Sequence, residues 1–264
     1  VVDDGSTDAT PEVLARYAAV HDWIRVLRRE DRGHRAVGPG VIDAFYAGYE
    51  AIDPSEFEFL CKLDLDLDLP RRYFERLIDW MNADPRLGSC SGKAYLRNDR
   101  GTLEAERHGD DTSLGMTKFY RVRAFQEIGG FVRAVMWDGI DCHRCRMLGW
   151  RAESRDDEDL RFVHLRPMGS SQTGVLTGRR RHGYGQYFMG TSFLYMLASC
   201  VFRLNQRPVV IGSMATLYGW LSAWVTSEPR YDDPVFRRFL RRYQLLSLLL
   251  GKRRALARMA QSAA

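Results

Sequence analysis

Three acidic segments hold the side chains of this sequence that are best suited to chemistry at one site. The first, Val1-Val2-Asp3-Asp4-Gly5-Ser6-Thr7-Asp8, has the pattern of a strand that ends in carboxylates at a glycine turn. Carboxylates accept hydrogen bonds, and ligands of layered α/β domains bind at the carboxyl ends of strands. An acidic turn that caps the next helix is the alternative. The candidates for contacting a base or a ribose are Asp3, Asp4, Gly5 and Ser6.

The second segment is an alternating run, Lys62-Leu63-Asp64-Leu65-Asp66-Leu67-Asp68-Leu69-Pro70. In an extended chain residues two apart share a face, so the three aspartates align and repel one another. A divalent cation relieves that repulsion, and oxygen ligands suit Mg²⁺ or Mn²⁺. We therefore predict a metal held by Asp64 and Asp66 against a diphosphate, where it stabilises the leaving group. The alternative, a solvated acidic edge, is disfavoured because the preceding run 57–61 is apolar on both faces, as in a central strand.

The third segment is Trp137-Asp138-Gly139-Ile140-Asp141, which follows a Gly129-Gly130-Phe131 loop and precedes a helix. A carboxylate at a loop-to-helix junction that faces a cleft can deprotonate a hydroxyl group. Helix capping explains either aspartate equally well. The sequence leaves open whether Asp138 or Asp141 is the base.

The elements that must position these segments alternate between strands and helices. Helical spacing of apolar residues predicts helices around 13–18, over 37–52 and 70–82, and up to residue 148. Strands are predicted at 23–27, 57–63, 87–96, 116–122 and 160–165. This alternation is typical of an α/β domain with a mostly parallel sheet and flanking helices, here assigned to residues 1–180. Residues 181–264 are predicted to form an amphipathic and apolar helical region.

Composition excludes several classes of protein. The chain has 264 residues, 45% of them hydrophobic, which is enough for a sizeable core. The formal charge of +5 is too small to indicate nucleic-acid binding, and it is concentrated in residues 228–264, with nine basic and three acidic side chains. Five cysteines without framework spacing argue against a disulfide scaffold and favour a reducing compartment.

Two uncharged, aromatic-rich stretches at 183–202 and 208–227 have about the length of a membrane span. Three arrangements fit them: two spans, helices lying in the membrane interface, or a soluble helical subdomain. We favour the interfacial arrangement, with the basic tail against anionic lipid on the cytoplasmic face. Positively charged residues are expected on the cytoplasmic side of a membrane, which agrees with this position of the basic tail.

Taken in order, the three motifs resemble the family 2 glycosyltransferases of the GT-A fold, which has a Rossmann-like sheet. The resemblance covers roughly residues 1–180 and rests on Val-Asp-Asp-Gly-Ser-Thr-Asp at 2–8, Asp-x-Asp at 64–66, and Gly-Gly-Phe with the acidic loop at 129–141. It implies that Asp3 and Asp4 contact the nucleoside of a sugar nucleotide. It also implies that Asp64 and Asp66 hold the metal, and that Asp138 or Asp141 is the base of an inverting transfer.

Two departures and two further groups accompany this resemblance. Family members usually begin one strand and helix earlier with a Pro-x-Tyr-Asn-like segment, so the domain is expected to be truncated at its N-terminus. The usual Glu-Asp pair is replaced, since Gly139 follows Asp138. His164 matches a metal ligand of some GT-A enzymes, although a lone histidine is more often structural. The residues expected to meet either a diphosphate or anionic lipid headgroups are Arg179, Arg181 and His182.

The expected activity is a metal-dependent, inverting hexosyl transfer at the cytoplasmic face of a membrane. The donor is a nucleoside-diphosphate sugar and the acceptor a lipid-linked glycan or a polysaccharide. One alternative is a sugar nucleotidyltransferase, which normally shows a glycine-rich loop bearing Lys or Arg near its first strand. The other is a non-catalytic, membrane-bound scaffold for polysaccharide assembly.

Overall fold

The computed structural model describes residues 1–33, 38–106, 108–166, 174–205 and 208–261, and its architecture is mixed α/β, which confirms the predicted class. The strands are Val2–Asp3 (β1), Leu27–Arg28 (β2), Phe59–Leu63 (β3), Leu67–Asp68 (β4), Leu87–Ser91 (β5), Lys93–Arg97 (β6), Leu103–Ala105 (β7), Thr117–Arg121 (β8), Arg151–Ser154 (β9) and Arg161–His164 (β10). The α-helices are Thr10–Val20 (α1), Pro39–Tyr49 (α2), Tyr73–Ala83 (α3), Val122–Glu127 (α4), Trp137–Met147 (α5), Val175–Met189 (α6), Phe193–Phe202 (α7), Ile211–Val225 (α8), Pro234–Leu250 (α9) and Lys252–Gln261 (α10). The helix predicted over 37–52 is α2, and Val37 lies outside the described residues.

The strands form three sheets with the orders β1-β2, β4-β10-β6-β7 and β3-β8-β5-β9. Of the strand pairs in the described ranges, β1–β2, β10–β6 and β5–β9 are parallel, whereas β8 runs antiparallel to both β3 and β5. The prediction of a mostly parallel sheet is therefore wrong in this detail. An apolar run carries no information about the direction of the neighbouring strand. The expectation that the run at 57–61 is a central strand is also wrong, because β3 lies at the edge of its sheet and is only partly buried.

The strand predicted over 87–96 is two strands that belong to different sheets. The break is at Gly92, where a Cβ atom would overlap the carbonyl oxygen of Leu160. The Gly92 amide donates instead to the Tyr73 hydroxyl at 2.9 Å, so the chain crosses from β5 to β6 beneath helix α3. This crossing brings β6 beside β10, whose last residue is His164.

The acidic loop is anchored by an aromatic core. Phe131 packs edge-on against Trp137 with ring centres 4.8 Å apart, and against Phe125 at 4.9 Å. Trp137 opens helix α5, which follows Met136 in a left-handed conformation at φ 60°. Burial of these rings fixes the point at which α5 begins.

The C-terminal helices pack on helix α5. Helix α9 is capped by Asp233, whose carboxylate accepts the Phe236 amide at 2.8 Å, and it buries Phe236 and Leu240 in one cluster with Ile140 of α5. Helix α6 runs across residue 180, where we placed a domain boundary, so the boundary falls inside a helix. The boundary itself stays a prediction.

The two uncharged stretches are divided into shorter helices. The first breaks at Gly190, which has φ 96°, and α7 restarts after the Ser192 cap. The second contains α8, which has 15 residues. Across the described ranges, we find no helix with both the length and the hydropathy needed to cross a bilayer.

Candidate functional site

The acidic turn begins with a buried carboxylate. Asp3 ends β1, is 3% exposed, and accepts the Ser6 amide on Oδ1 at 2.9 Å. The hydrogen bonds from Ser6, with a smaller contribution from Arg28, outweigh burial and hold the pKa of Asp3 below its usual value. Its other oxygen, Oδ2, has no hydrogen-bond partner in the described part of the chain. Asp3 therefore stays ionised and keeps one acceptor for a ligand's N–H or O–H group.

Gly5 shapes the pocket at this turn. Its φ of +86° is in the left-handed region, and a Cβ atom there would overlap the backbone of Asp31. The turn consequently lies directly on the segment 28–31, and the two border a pocket of about 350 Å³ that includes Ser6 and Arg28. Asp4 faces other partners, because Arg29 contacts it at 2.8 Å and Arg32 pairs with its second oxygen.

The alternating run does not stay extended. Strand β3 ends at Leu63, the chain bends at 65–66, and β4 restarts at Leu67. Each carboxylate consequently has its own surroundings: Asp64 pairs with Lys62, Asp66 pairs with Arg166, and Asp68 is exposed. The predicted alignment of all three aspartates on one face is wrong, and protein cations relieve the repulsion on two of them.

Asp66 lies in a cluster of acidic and imidazole groups. Its Oδ2 is 3.8 Å from Nε2 of His164, and Nδ1 of His164 is 3.0 Å from Oε2 of Glu106. Arg166 donates two hydrogen bonds to the same Oδ2, at 2.9 and 2.7 Å. Burial raises the pKa of Asp66, but Arg166 more than offsets this and the net shift is downward.

This cluster has the donor chemistry that a divalent cation needs. Two ligands that share one ion at about 2.1 Å lie at most about 4.2 Å apart, so the 3.8 Å separation of Asp66 and His164 is compatible with joint coordination. His108, whose pKa is lowered by burial and influenced by Glu106, Asp138 and His164, has a buried Nε2 atom without a hydrogen-bond partner among the residues described. No group of three or more candidate ligands is preassembled within those ranges. The residues fit a Mg²⁺ or Mn²⁺ ion if Arg166 breaks at least one of its two hydrogen bonds to Asp66.

The structure separates the two aspartates of the acidic loop. Asp141 is 1% exposed, accepts a hydrogen bond from Lys118 at 2.7 Å on Oδ1, and accepts the Tyr120 hydroxyl on Oδ2. Burial lowers the pKa of Lys118, but the Asp141 carboxylate outweighs it, so the net shift is upward and the pair is ionic. A carboxylate enclosed in this way does not reach a substrate.

Asp138 occupies the exposed side of the same helical turn. It is half-buried, and its Oδ2 lies 3.2 Å from where a Cβ atom would project from Gly115. The backbone carbonyl of the next residue, Met116, accepts a hydrogen bond from the Asp64 amide at 2.8 Å. The 115–116 backbone therefore lies between the Asp138 carboxylate and the main chain of Asp64.

A chain of ion pairs connects the acidic turn with the acidic loop. Arg32 pairs with Asp4 and lies 3.9 Å from Asp43, and Arg133 contacts Asp43 at 2.7 Å. Arg133 lies four residues before Trp137. These ion pairs connect the turn with the 129–141 loop, but they reach neither the 64–66 segment nor Asp138, and no hydrogen bond or ion pair joins Asp3 to Asp66 among the described residues.

The basic group at 179–182 is split between two environments. Arg179 and His182 line a cavity between α5 and the C-terminal helices, and Arg181 is half-buried outside that lining. Burial, with Arg203 and Arg179 nearby, lowers the pKa of His182 to about 3. His182 is therefore neutral at physiological pH and adds no charge to the cavity.

Several residues of the site were not identified from the sequence. These are Glu106, His108, Lys118, Tyr120 and Arg166. Arg166 lies two residues after His164, the end of β10, so its closeness in the sequence to a predicted metal ligand could have indicated it. Glu106, Lys118 and Tyr120 contact partners more than 20 residues away along the chain, and no local pattern marks them or His108.

Comparisons with known proteins give one matching family model and 65 matching chains of solved structures. The profile described as "Glycosyl transferase family 2" matches residues 1–133. The chain is similar to the mannosyltransferase PcManGT from Pyrobaculum calidifontis, solved in complex with GDP-Man and Mn²⁺. The identity is 18% and the TM-score 0.49, and the match covers 100% of this chain and 75% of that one. Among curated proteins, no significant match was found.

Proposed function

The chain belongs to glycosyl transferase family 2, and from this premise we propose that it transfers a hexosyl unit, with inversion, to a lipid-linked or polysaccharide acceptor. Membership itself makes it a glycosyltransferase with a nucleotide-sugar donor, which decides against a sugar nucleotidyltransferase. The observation that supports the proposal is that Asp138 and Asp64 lie on either side of the 115–116 backbone, because a half-buried carboxylate close to the predicted metal segment is suited to deprotonating an acceptor hydroxyl.

The donor nucleoside is assigned to the acidic turn. Oδ2 of Asp3, which lies 3.8 Å from Nε of Arg28 but accepts no hydrogen bond among the described residues, is the acceptor for the base or the ribose, and the backbone of Gly5 and Ser6 borders the pocket. Arg28, which lines that pocket, favours an anionic or aromatic ligand. Asp4 acts through Arg29 and Arg32, whose positions it fixes by ion pairing.

Asp66 and His164 are the residues that would hold Mg²⁺ or Mn²⁺, with Glu106 orienting the imidazole. A bound ion would offset the negative charge that develops on the leaving nucleoside diphosphate. Asp64 is tied to Lys62, so it fixes the shape of the segment and orients Asp66. Asp138 accepts the proton of the acceptor hydroxyl, which attacks the anomeric carbon from the side opposite the diphosphate. Lys118 holds the helix start by donating to the Asp138 carbonyl at 2.9 Å.

An Asp66→Ala variant tests the metal assignment. We expect turnover to fall at least 100-fold, and we expect Mn²⁺ to lose its effect on the thermal stabilisation given by UDP-, GDP- or dTDP-sugars, because a bound donor stabilises the fold by mass action. Arg166 is mostly exposed, so loss of its ion pair changes the unfolding free energy by about 1 kcal/mol or less.

The matched control is Asp68→Ala, two residues along on the exposed strand β4. It should stay within twofold of wild type in turnover and in Mn²⁺-dependent stabilisation. Normal turnover in Asp66→Ala refutes the metal assignment. Absence of nucleoside-diphosphate release from the wild type, with Mn²⁺ and acceptor present, supports the non-catalytic scaffold instead.

We also propose that the protein works on the cytoplasmic face of a membrane. Helix α7 carries no charged residue and exposes a row of apolar side chains, among them Leu194 at 61%, Val201 at 59% and Phe202 at 83% exposure. The basic residues of α9 and α10 include exposed Arg238, Arg241, Arg253 and Arg254. An apolar face beside exposed arginines fits insertion into the headgroup region of an anionic bilayer.

Co-sedimentation with vesicles of phosphatidylcholine and phosphatidylglycerol checks this surface. We expect a Leu194→Ser/Phe202→Ser variant to bind at least tenfold more weakly, because each side chain loses about 1.5 kcal/mol or more of apolar burial. The control is Val20→Ser/Trp23→Ser, which changes two exposed apolar residues of the N-terminal region. Equal binding of both variants contradicts the assignment to α7.

A further inference from the structure

A cationic cavity of about 170 Å³ lies between α5 and the C-terminal helices. Its volume holds several water molecules, at about 30 Å³ each, so a phosphate-sized group fits. Four permanent cations line it, contributed by α5, α6, the end of α7 and the start of α10: Arg146, Arg179, Arg203 and Lys252.

The cavity wall provides little negative charge. Among the described residues that line it, Asp111 is the only carboxylate, and it contacts the Tyr243 hydroxyl at 3.0 Å and Lys252 at 3.8 Å. The two lining imidazoles, His143 and His182, have pKa values lowered by burial and by nearby cations, so they are neutral. The described lining therefore has a net charge of +3 at neutral pH.

Cations that share one partly enclosed space repel one another unless a bound anion neutralises their charge. Guanidinium groups bind phosphate oxygens through paired N–H donors, and Arg203 and Arg146 are set against His182 and His143, whose ring nitrogens they contact at 3.4 and 3.1 Å. The cavity therefore has the charge, the size and the donors for a diphosphate.

The same helix connects this cavity with the apolar surface. One side of α7 lines the cavity with Tyr195, Met196 and Ser199, its other side exposes Leu194 and Val201, and Phe202 is exposed at its C-terminal end. A ligand with its anionic head in the cavity would have an apolar surface for its tail within one helix diameter, about 10 Å. This arrangement fits an amphiphile better than a soluble anion.

The cavity also reaches the first turn of α5. Met136 and Gly139 line it, whereas Asp138, between them in the sequence, is outside the lining and has its carboxylate toward Gly115. Neither Asp66 nor His164 belongs to the lining, so the cavity is separate from the residues assigned to the donor diphosphate.

We propose that this cavity binds the diphosphate of a lipid-linked acceptor, so that the sugar carried on the diphosphate presents its hydroxyl to Asp138. This inference rests on the proposed function, because it names the acceptor of the same transfer. The head binds among Arg146, Arg179 and Arg203, and the lipid lies along the exposed side of α7.

Binding of farnesyl diphosphate, measured by titration calorimetry, tests the site. We expect Arg203→Gln to weaken binding at least tenfold, because Arg203 faces the cavity. The matched control is Arg180→Gln. Arg180 is next to Arg179 on α6, and its guanidinium is exposed and lies 4.7 Å from the centre of the Tyr218 ring. Arg180→Gln should bind within twofold of wild type. Inorganic diphosphate should bind at least tenfold more weakly than farnesyl diphosphate, and farnesol should not bind.

Binding of UDP and GDP with Mn²⁺ to the same variants completes the test. Unchanged nucleotide affinity in Arg203→Gln shows that the variant is folded and that the cavity does not take the donor. Full retention of farnesyl diphosphate affinity in Arg203→Gln overturns the proposal, and so does a parallel loss of nucleotide affinity. Equal affinities for inorganic and farnesyl diphosphate overturn the lipid assignment. Failure of the wild type to bind either nucleotide, with farnesyl diphosphate binding intact, contradicts the proposed function and leaves the anion site standing.

Discussion

Replacement of Asp138 by Asn is expected to lower turnover by about 10²–10⁴-fold, the range typical for loss of a general base. The amide keeps the size of the side chain and its place over Gly115, but it no longer accepts a proton from the acceptor hydroxyl. Donor binding depends on the acidic turn and on Asp66, so the affinities for UDP and GDP with Mn²⁺ should stay within twofold. Steady-state release of nucleoside diphosphate, together with nucleotide titration, measures both quantities.

A matched control for this variant is Asp157→Asn, which changes an exposed aspartate outside the site. It should leave turnover unchanged. If Asp138→Asn retains at least a third of wild-type turnover, Asp138 is not the base. The account then loses its nucleophile-activating residue, because Asp141 is enclosed by Lys118 and Tyr120.

Replacement of Asp141 by Ala is expected to reduce the free energy of unfolding by about 3–5 kcal/mol. Lys118 has no exposed side-chain surface, so loss of its carboxylate partner leaves an uncompensated buried charge. The Tyr120 hydroxyl also loses its acceptor. Denaturant unfolding of the variant and the wild type gives the difference directly.

Two comparisons separate the buried pair from ordinary surface pairing. A Lys118→Met/Asp141→Leu variant removes both charges and should recover much of the lost stability. Arg123→Ala breaks an exposed ion pair with Glu127 and should cost less than about 1 kcal/mol. A change below 1 kcal/mol in Asp141→Ala would show that Lys118 finds water or another partner. In that case Asp141 is not the residue that fixes the start of α5 and the position of Asp138.

Local patterns were sufficient to predict the class of fold and most of its elements. The apolar spacing of Tyr73, Leu77 and Met81 predicts α3, and the apolar run at 57–63 predicts β3, because both signals come from residues close together in the sequence. Strand direction and the division of 87–96 could not be predicted. Both depend on contacts with distant segments, such as the approach of Leu160 to Gly92.

The site could be predicted only in outline. The motifs place Asp3, Asp66 and Asp138 at strand ends or at a helix start, and the structure keeps them there. Their charge state and accessibility depend on partners far along the chain: Arg166 lies 100 residues from Asp66, and Lys118 lies 23 residues from Asp141. For this reason the sequence left Asp138 and Asp141 open, whereas burial distinguishes them.

We propose that the acidic turn, Asp66 and Asp138 serve one donor molecule. A crystal structure with Mn²⁺ and whichever of UDP or GDP raises the unfolding midpoint most is the most direct test. We expect the nucleoside on Asp3 to Ser6, one ion shared by Asp66 and the diphosphate, and Asp138 facing the terminal phosphate. A nucleotide bound in the cavity lined by Arg179 and Arg203, with Asp66 still held by Arg166 and no ion beside it, would contradict the account.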